Sequence, residues 1–248
     1  MPLSFIVAWM PGSRNRVLPR PPHLPARATD FRSLLAGVVS IAWGATGASL
    51  AHADRLAGAT LAQQGGGGAP ACMTCHGAQG EGQAAAGFPR LAGQGQAYLL
   101  KQLQAFADGT RKNPQMAPIA RSLSAAQMRD AADYYASLPG WKQTTAPHTP
   151  SAQYAQGLKI ATEGDWTKEM PACFACHGIT GEGVPPHFPA LAGQPMAYTQ
   201  TQLNAWRAAQ RTNDPLGLMQ AVAEKMSDAE IAAVSRYLEN PSRPGKEK

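Results

Sequence analysis

The sequence predicts an all-α protein built from two tandem domains that are related by internal duplication. Its 248 residues are enough for two domains of roughly 100 residues each. The segment CMTCHGAQGEG, which begins at Cys72, recurs as CFACHGITGEG from Cys173. Apolar residues recur at helical spacing, and no stretch of five or more residues alternates as a half-buried strand does.

The two copies stay in register well beyond the cysteines. FPRLAGQGQAYLLKQLQAF in the first copy faces FPALAGQPMAYTQTQLNAW in the second, 100 residues later. After a three-residue insertion in the second copy, the match resumes at Met116 and Met219. A register kept over about 75 residues indicates that each copy is one structural unit.

Helix signals recur at matching places in both copies. In the first copy, residues 97–106 place their apolar side chains along one face of a helix. Ser124 with Gln127, and Ser227 with Glu230, have the spacing of a capping box at the start of a last helix. We therefore expect short helices joined by glycine- and proline-rich loops.

Residues 1–53 have the layout of a secretory signal peptide. Five arginines precede an apolar run, which ends in Ala51, His52 and Ala53. A cleaved leader predicts a periplasmic protein, whereas an uncleaved one would hold it peripherally at the membrane. A proline- and threonine-rich linker, residues 138–153, separates the copies, so we predict domains at 54–146 and 147–248.

Charge argues against nucleic acid as a partner. The full chain has a formal charge of +6, but five of its basic residues lie in the predicted leader. The remaining chain has no run of Lys or Arg and no basic patch with interleaved aromatic residues.

The motif Cys-x-x-Cys-His is the attachment signature of haem c, and its spacing has a geometric reason. On a helix, positions i, i+3 and i+4 share one face, so two thiols and one imidazole point at the same object. The thiols bond to the haem vinyl groups while the imidazole coordinates iron. The residues concerned are Cys72, Cys75 and His76 in the first copy, and Cys173, Cys176 and His177 in the second.

Four cysteines could also serve purposes other than haem attachment. Two disulfides, one zinc ion shared by both pairs, or a thioredoxin-like redox pair would each use these cysteines. None of them explains a histidine after each second cysteine. Two covalently attached haems would also supply an apolar centre to domains that are otherwise poor in long apolar runs.

Met116 and Met219 are the candidates for the sixth ligand of each iron. They match in the repeat, and we expect both to lie in flexible loops that reach over the haem. The other mature-chain methionines have no methionine at the matching position, and we predict core or surface roles for them: Met73, Met128, Met170, Met196 and Met226. Histidine–methionine ligation fills both axial positions and describes an electron carrier rather than an enzyme.

Several residues around the motif have predicted supporting roles. The carbonyls of Pro89 and Pro189 are candidates to accept the free ring N–H of each histidine, although these prolines could instead only set a turn. The glycines after each histidine would permit tight turns against the porphyrin. We predict that His187 is solvated, and that the aromatic residues pack beside the haem: Phe106, Tyr134, Tyr135, Trp206 and Tyr237.

These motifs resemble two fused class I cytochrome c domains, most like the cytochrome c4 family of periplasmic dihaem proteins. The resemblance covers about residues 60–240 and implies haems that approach each other across a pseudo-twofold interface. It also implies transfer from a quinol-oxidising complex or another donor to a haem-copper terminal oxidase. The axial ligands it implies are His76 and Met116 for the first haem, and His177 and Met219 for the second. Two alternatives stay open: a subunit of a periplasmic dehydrogenase complex, and a haem enzyme such as a peroxidase.

Overall fold

The computed structural model of the chain describes residues 46–142, 151–214 and 216–242, with side chains from residue 55 onward. Within these ranges there are α-helices, two short 3-10 turns and isolated β-bridges, but no sheet. The predicted all-α class is confirmed.

The same five helices occur twice in the same order. The first lobe, residues 46–142, contains five helices, α1 to α5, and the second lobe, residues 151–242, contains α6 to α10. The helices are α1 (Thr46–Gln64), α2 (Met73–His76), α3 (Gln96–Asp108), α4 (Met116–Ser122), α5 (Ala125–Ser137), α6 (Ala152–Thr162), α7 (Cys173–His177), α8 (Met196–Arg207), α9 (Leu218–Glu224) and α10 (Asp228–Glu239). The 3-10 turns are Ala84–Ala86 and Trp166–Lys168.

The first and last helices of each lobe pack against each other at a glycine. In the second lobe, a Cβ atom added to Gly157 of α6 would lie 2.1 Å from the carbonyl oxygen of Ala233 on α10. In the first lobe, Gly58 of α1 meets the carbonyl of Asp130 on α5 at the same distance. The absence of a side chain therefore sets how closely these two helices approach.

Each lobe has its own core. The second-lobe core joins α6, α7, α8 and α10 through Ile160, Phe174, Leu203 and Tyr237. In the first lobe, Leu61, Leu123 and Met128 form one buried cluster, while Leu99 and Tyr135 belong to another. Three of the methionines that we assigned to core or surface are buried in these cores: Met128, Met170 and Met226.

Both predicted capping boxes are present. The Ser124 hydroxyl accepts from the backbone N–H of Gln127, and the Gln127 side chain accepts from the N–H of Ser124. Ser227 and Glu230 do the same at the start of α10. These caps satisfy backbone N–H groups that a helix leaves unpaired at its first turn.

The predicted leader falls largely outside the described residues, as do positions 143–150 of the linker with His148. The expected cleavage point after Ala53 lies within α1, so cleavage and the domain boundaries stay predictions. In the part of the chain that is described, no helix has both the length and the apolar character of a membrane span.

We expect Gly157→Ala to destabilise the second lobe. Alanine favours a helix by about 1 kcal/mol over glycine, but overpacking against the α10 backbone costs about 1–3 kcal/mol. Because the added Cβ would lie only 2.1 Å from a backbone atom, the steric cost outweighs the gain in helix propensity. Denaturant unfolding of the haem-loaded protein measures the change.

Gly140→Ala is the control, because its added Cβ would meet its nearest atom at 3.6 Å and its φ lies outside the left-handed region. Gly58→Ala should behave like Gly157→Ala. Equal unfolding midpoints for Gly157→Ala and Gly140→Ala would contradict this account of the helix crossing.

Candidate functional site

The two cysteine–histidine motifs each form a single helical turn. Cys72 precedes α2, which contains Cys75 and ends at His76, while α7 runs from Cys173 to His177. A glycine in a positive-φ conformation ends each turn, at 85° for Gly77 and 86° for Gly178. The predicted arrangement of two thiols and an imidazole on one turn is therefore present in both lobes.

Both histidines are buried and hydrogen-bonded on one ring nitrogen. The Nδ1 atom lies 3.0 Å from the Pro89 carbonyl oxygen in His76, and 2.8 Å from the Pro189 carbonyl oxygen in His177. A carbonyl only accepts, so Nδ1 carries the proton and Nε2 of the neutral ring keeps its lone pair. Burial lowers the pKa of both imidazoles and outweighs the opposing effect of the carbonyl. The predicted proline acceptors are confirmed.

The loop after each histidine brings these prolines into place. The backbone N–H groups of Leu91 and Ala92 donate to the carbonyl of Gly80 at 2.8 and 3.0 Å. Matching bonds at the same distances join Leu191 and Ala192 to Gly181. Because Gly80 and Gly181 accept two bonds each, the segment that supplies the proline carbonyl is fixed against the cysteine turn.

These glycines also face aromatic rings of the protein. A Cβ on Gly80 would lie 2.7 Å from the Tyr135 ring, and one on Gly181 would lie 2.8 Å from the Phe174 ring. Tyr135 belongs to α5 whereas Phe174 belongs to α7. The aromatic ring that covers the equivalent glycine therefore comes from a different helix in each lobe. The sequence repeat did not indicate this exchange.

The prediction that Met116 and Met219 lie in flexible loops is wrong. Met116 is the first residue of α4, and Met219 is the second residue of α9. The Asn113 side chain accepts from the backbone N–H of Met116 at 2.8 Å, and Asp214 accepts from that of Met219 at 2.5 Å. A polar side chain thus holds each methionine at a helix start, where unpaired N–H groups need acceptors.

In the first lobe, a cavity of about 620 Å³ brings the predicted ligands together. Its lining includes Cys72, Cys75, His76 and Met116. In the second lobe, Cys173 and Met219 pack against the core cluster that contains Phe174. The buried His177 ends the helix that carries Cys173 and Phe174. The four cysteines are free thiols.

These residues fit a covalently bound haem. Each lobe offers two free thiols, a buried imidazole with an available Nε2, and a thioether held at a helix start. Among the described residues, no cluster of three or more His, Cys, Asp or Glu side chains is placed to hold a metal ion directly.

Other sequence predictions have clear outcomes. His187 is exposed, as predicted for a solvated loop residue. Phe106 and Tyr135 line the first-lobe cavity, and Tyr237 lies fully buried in the second-lobe core. Phe106 and Trp206 each have an arginine above the ring, which we did not predict: Arg111 at 4.4 Å and Arg211 at 3.9 Å.

Sequence reasoning also missed the glutamines that join the lobes. The Gln94 side chain donates to the carbonyl of Ala190 and accepts from its N–H, at 2.8 and 3.0 Å. Gln194 makes the reciprocal pair with Arg90, at 2.9 and 3.1 Å. The available signal was a polar residue repeated in FPRLAGQ and FPALAGQ, next to residues that are apolar in both copies.

Comparison with known proteins places the chain in a family. The profile of the Cytochrome c family matches residues 56–139 and again 154–242. The chain is 48% identical over 171 residues to a thiosulfate dehydrogenase electron acceptor from Thiomonas intermedia, which covers 68% of this chain and 78% of that protein.

Two solved structures share the fold. Reduced cytochrome c4 from Pseudomonas stutzeri matches with a TM-score of 0.65 and 36% identity, over 77% of this chain and 97% of that one. A thiosulfate dehydrogenase from Marichromatium purpuratum matches with a TM-score of 0.70 and 36% identity, over 78% of this chain but only 44% of that chain.

The fold, the paired sites and these matches define a c-type cytochrome with two covalently bound haems. The chain belongs to the cytochrome c family and, within it, to the dihaem cytochromes c4. It is an electron carrier.

We expect Gln94→Ala to destabilise the contact between the lobes. The change leaves the buried N–H and C=O groups of Ala190 unpaired, at about 1–3 kcal/mol for each group. Gln194→Ala should have a similar effect, because its bonds are reciprocal. Denaturant unfolding of the haem-loaded protein measures both changes.

Gln79→Ala removes an exposed glutamine and serves as the control. If Gln94→Ala unfolds at the same denaturant concentration as this control, the reciprocal bonds contribute nothing measurable to stability.

Proposed function

We propose that the chain is a periplasmic dihaem carrier that accepts electrons from a thiosulfate-oxidising dehydrogenase. His76 and Met116 would ligate the first haem, and His177 and Met219 the second, with the cysteines forming the thioether bonds. The main support is that each buried imidazole has its Nδ1–H engaged by a proline carbonyl, which leaves Nε2 free for iron.

Residues of the chain prepare each proposed site for electron transfer. The haem, when bound, supplies a one-electron couple. The proline carbonyl fixes the orientation of the imidazole and raises its basicity. The methionine thioether, as a second ligand, would favour the reduced metal. If an imidazole and a thioether both held each haem iron, a small substrate would have no place to bind, which favours a carrier over an oxidising enzyme.

The proposed electron donor comes from the relatives. The Thiomonas protein is named an electron acceptor of thiosulfate dehydrogenase, and this chain covers most of its length. The chain corresponds to less than half of the Marichromatium enzyme, so the activity of that enzyme as a whole does not transfer to it. Of the alternatives raised by the sequence, we therefore choose the partner of a dehydrogenase, and assign to this chain the role of accepting electrons from it.

The route that the cytochrome c4 resemblance implies, from a quinol-oxidising complex to a terminal oxidase, stays a prediction. A terminal oxidase also fits as the onward acceptor of electrons from the proposed dehydrogenase. The periplasmic location is supported by the leader-like layout of residues 1–53 and is proposed with the function.

Met219→Ala should lower the reduction potential of one haem by a large margin and leave the other nearly unchanged. Removing the thioether takes away the ligand that favours reduced iron in the second lobe only. The weak far-red absorption of methionine-ligated ferric haem should fall by about half, since one of two ligated irons loses its sulfur. Spectroelectrochemical titration reads both quantities.

Met196→Ala, at a half-buried methionine at the start of α8, is the control and should keep both potentials. Two potentials that fall equally in Met219→Ala would contradict independent ligation of the two haems.

Mixing the oxidised protein with thiosulfate and a thiosulfate dehydrogenase should reduce both haems, whereas thiosulfate by itself should not. Stopped-flow absorbance measures the rate in each case. Equally fast reduction by thiosulfate without the dehydrogenase would contradict the proposed need for that partner. Failure with the dehydrogenase, together with rapid reduction by a quinol-oxidising complex, would favour the respiratory route.

A further inference from the structure

Arg111 and Arg211, the guanidinium pair, are buried where the two lobes meet. Their exposed fractions are 5% and 4%. Among the described residues, neither arginine forms a salt bridge with a carboxylate. Two buried positive charges without an anion are costly, because desolvation is repaid only by a well-placed opposite charge.

Each arginine crosses to the other lobe. Arg111 donates to the Tyr198 hydroxyl at 2.8 Å, and Arg211 donates to the Tyr98 hydroxyl at 3.3 Å. Their backbones pair as an antiparallel bridge, flanked by bonds from Lys112 to Gln210 and from Thr212 to Thr110. The contact is reciprocal, as in a twofold interface.

Two amide oxygens hold the guanidinium pair together. Oε1 of Gln102 accepts from Arg111 at 3.1 Å and from Arg211 at 2.9 Å. Oε1 of Gln202 accepts from the same two arginines, at 2.5 and 3.2 Å. Shared acceptors place the two like charges side by side, and neutral amides do not cancel their charge.

The positive charge of the guanidinium pair also affects the pKa of the neighbouring Tyr98 phenol. Desolvation by itself would raise the pKa of Tyr98, but the charges of Arg211 and then Arg111 oppose it and the pKa is lowered. The pKa of Arg211 is also lowered, first by burial and then by the charge of Arg111. The site therefore favours an anion.

The guanidinium pair lines the first-lobe cavity, the one that contains His76 and Met116. Gln102, Tyr98 and their second-lobe counterparts line it as well. Haem carries two carboxylate side chains, and a guanidinium binds a carboxylate through a planar fork of N–H groups. We propose that Arg111 and Arg211 form one shared carboxylate-binding site for the propionates of both haems.

The repeat explains why the site would serve both haems. Tyr98 and Gln102 on α3 line the first cavity, and Tyr198 and Gln202 hold the matching positions on α8. Each guanidinium bonds to residues of both helices, so each positive charge would act on both proposed haem sites. A positive charge stabilises reduced haem relative to ferric haem, and each arginine therefore raises both reduction potentials.

The test measures both reduction potentials of the haem-loaded protein in Arg111→Gln and in Arg211→Gln. Each variant should lower the equilibrium constant for reduction of both haems by tenfold or more, which is about 59 mV for a one-electron couple. Arg111→Lys keeps the charge but not the fork, so it should retain most of both potentials.

Arg129→Gln removes an exposed positive charge from α5 and should leave both potentials nearly unchanged, because salt screens a charge on the surface. The shared site is overturned if an arginine variant shifts the potential of one haem only, or shifts neither more than this control. The inference rests on the proposed haem sites, but the two proposals can be tested separately. Absence of the far-red methionine band in the unmodified protein would reject the methionine ligation, not the arginine site.

If the glutamine variants do not mature, infrared spectra of the unmodified protein with isotope-labelled haem propionates decide the matter. Labelled bands of ionised carboxylates, displaced from the frequencies of solvated ones, support the site. Bands of solvated carboxylates or of protonated propionic acid at neutral pH would overturn it.

Discussion

The hydrogen bond from each histidine Nδ1–H to a proline carbonyl is the contact on which the rest of each lobe depends. A buried imidazole needs a partner, and this acceptor also directs the other nitrogen towards the cavity. The proline reaches the ring only because the loop after the histidine turns at glycine and then accepts two backbone bonds from the following segment.

The same segment also joins the two lobes. Gln94 and Gln194 follow the prolines by five residues and bond reciprocally across the interface. One stretch of chain therefore orients the histidine on one side and docks the partner lobe on the other. A duplicated chain suits such a contact, because a twofold interface uses the same surface twice. The twofold relation is incomplete at one position. The buried Arg90 side chain donates to the carbonyl of Ala192, whereas the second copy has Ala190 in place of the arginine and cannot make the matching bond.

The lobes differ in what they expose. Among the described residues, Leu56 is the exposed large apolar side chain of the first lobe, whereas the second lobe has five: Trp166, Ile179, Val184, Leu216 and Leu218. Ile179 and Val184 follow His177 in the chain. Leu216 precedes α9, and Leu218 is the first residue of that helix, next to Met219. The second lobe thus offers apolar surface next to its proposed haem ligands, while the first lobe has the smaller Ala78 and the polar Gln83 and Gln115 where Ile179, Val184 and Leu218 stand. A protein partner would meet two different surfaces.

The sequence by itself determined the helical class, the duplication, the cysteine–histidine turns, the capping boxes and the proline acceptors. Each of these is encoded within one turn of helix or one repeat, where spacing decides geometry. It placed Met116 and Met219 in loops, because the Asn113 and Asp214 acceptors that start their helices are indistinguishable from ordinary loop residues in the sequence. Only the tertiary structure decided that Arg111 lies beside Arg211, and that Tyr135 and Phe174 fill equivalent places. Those contacts join residues far apart in the chain, and their energies depend on burial, which a local pattern does not contain.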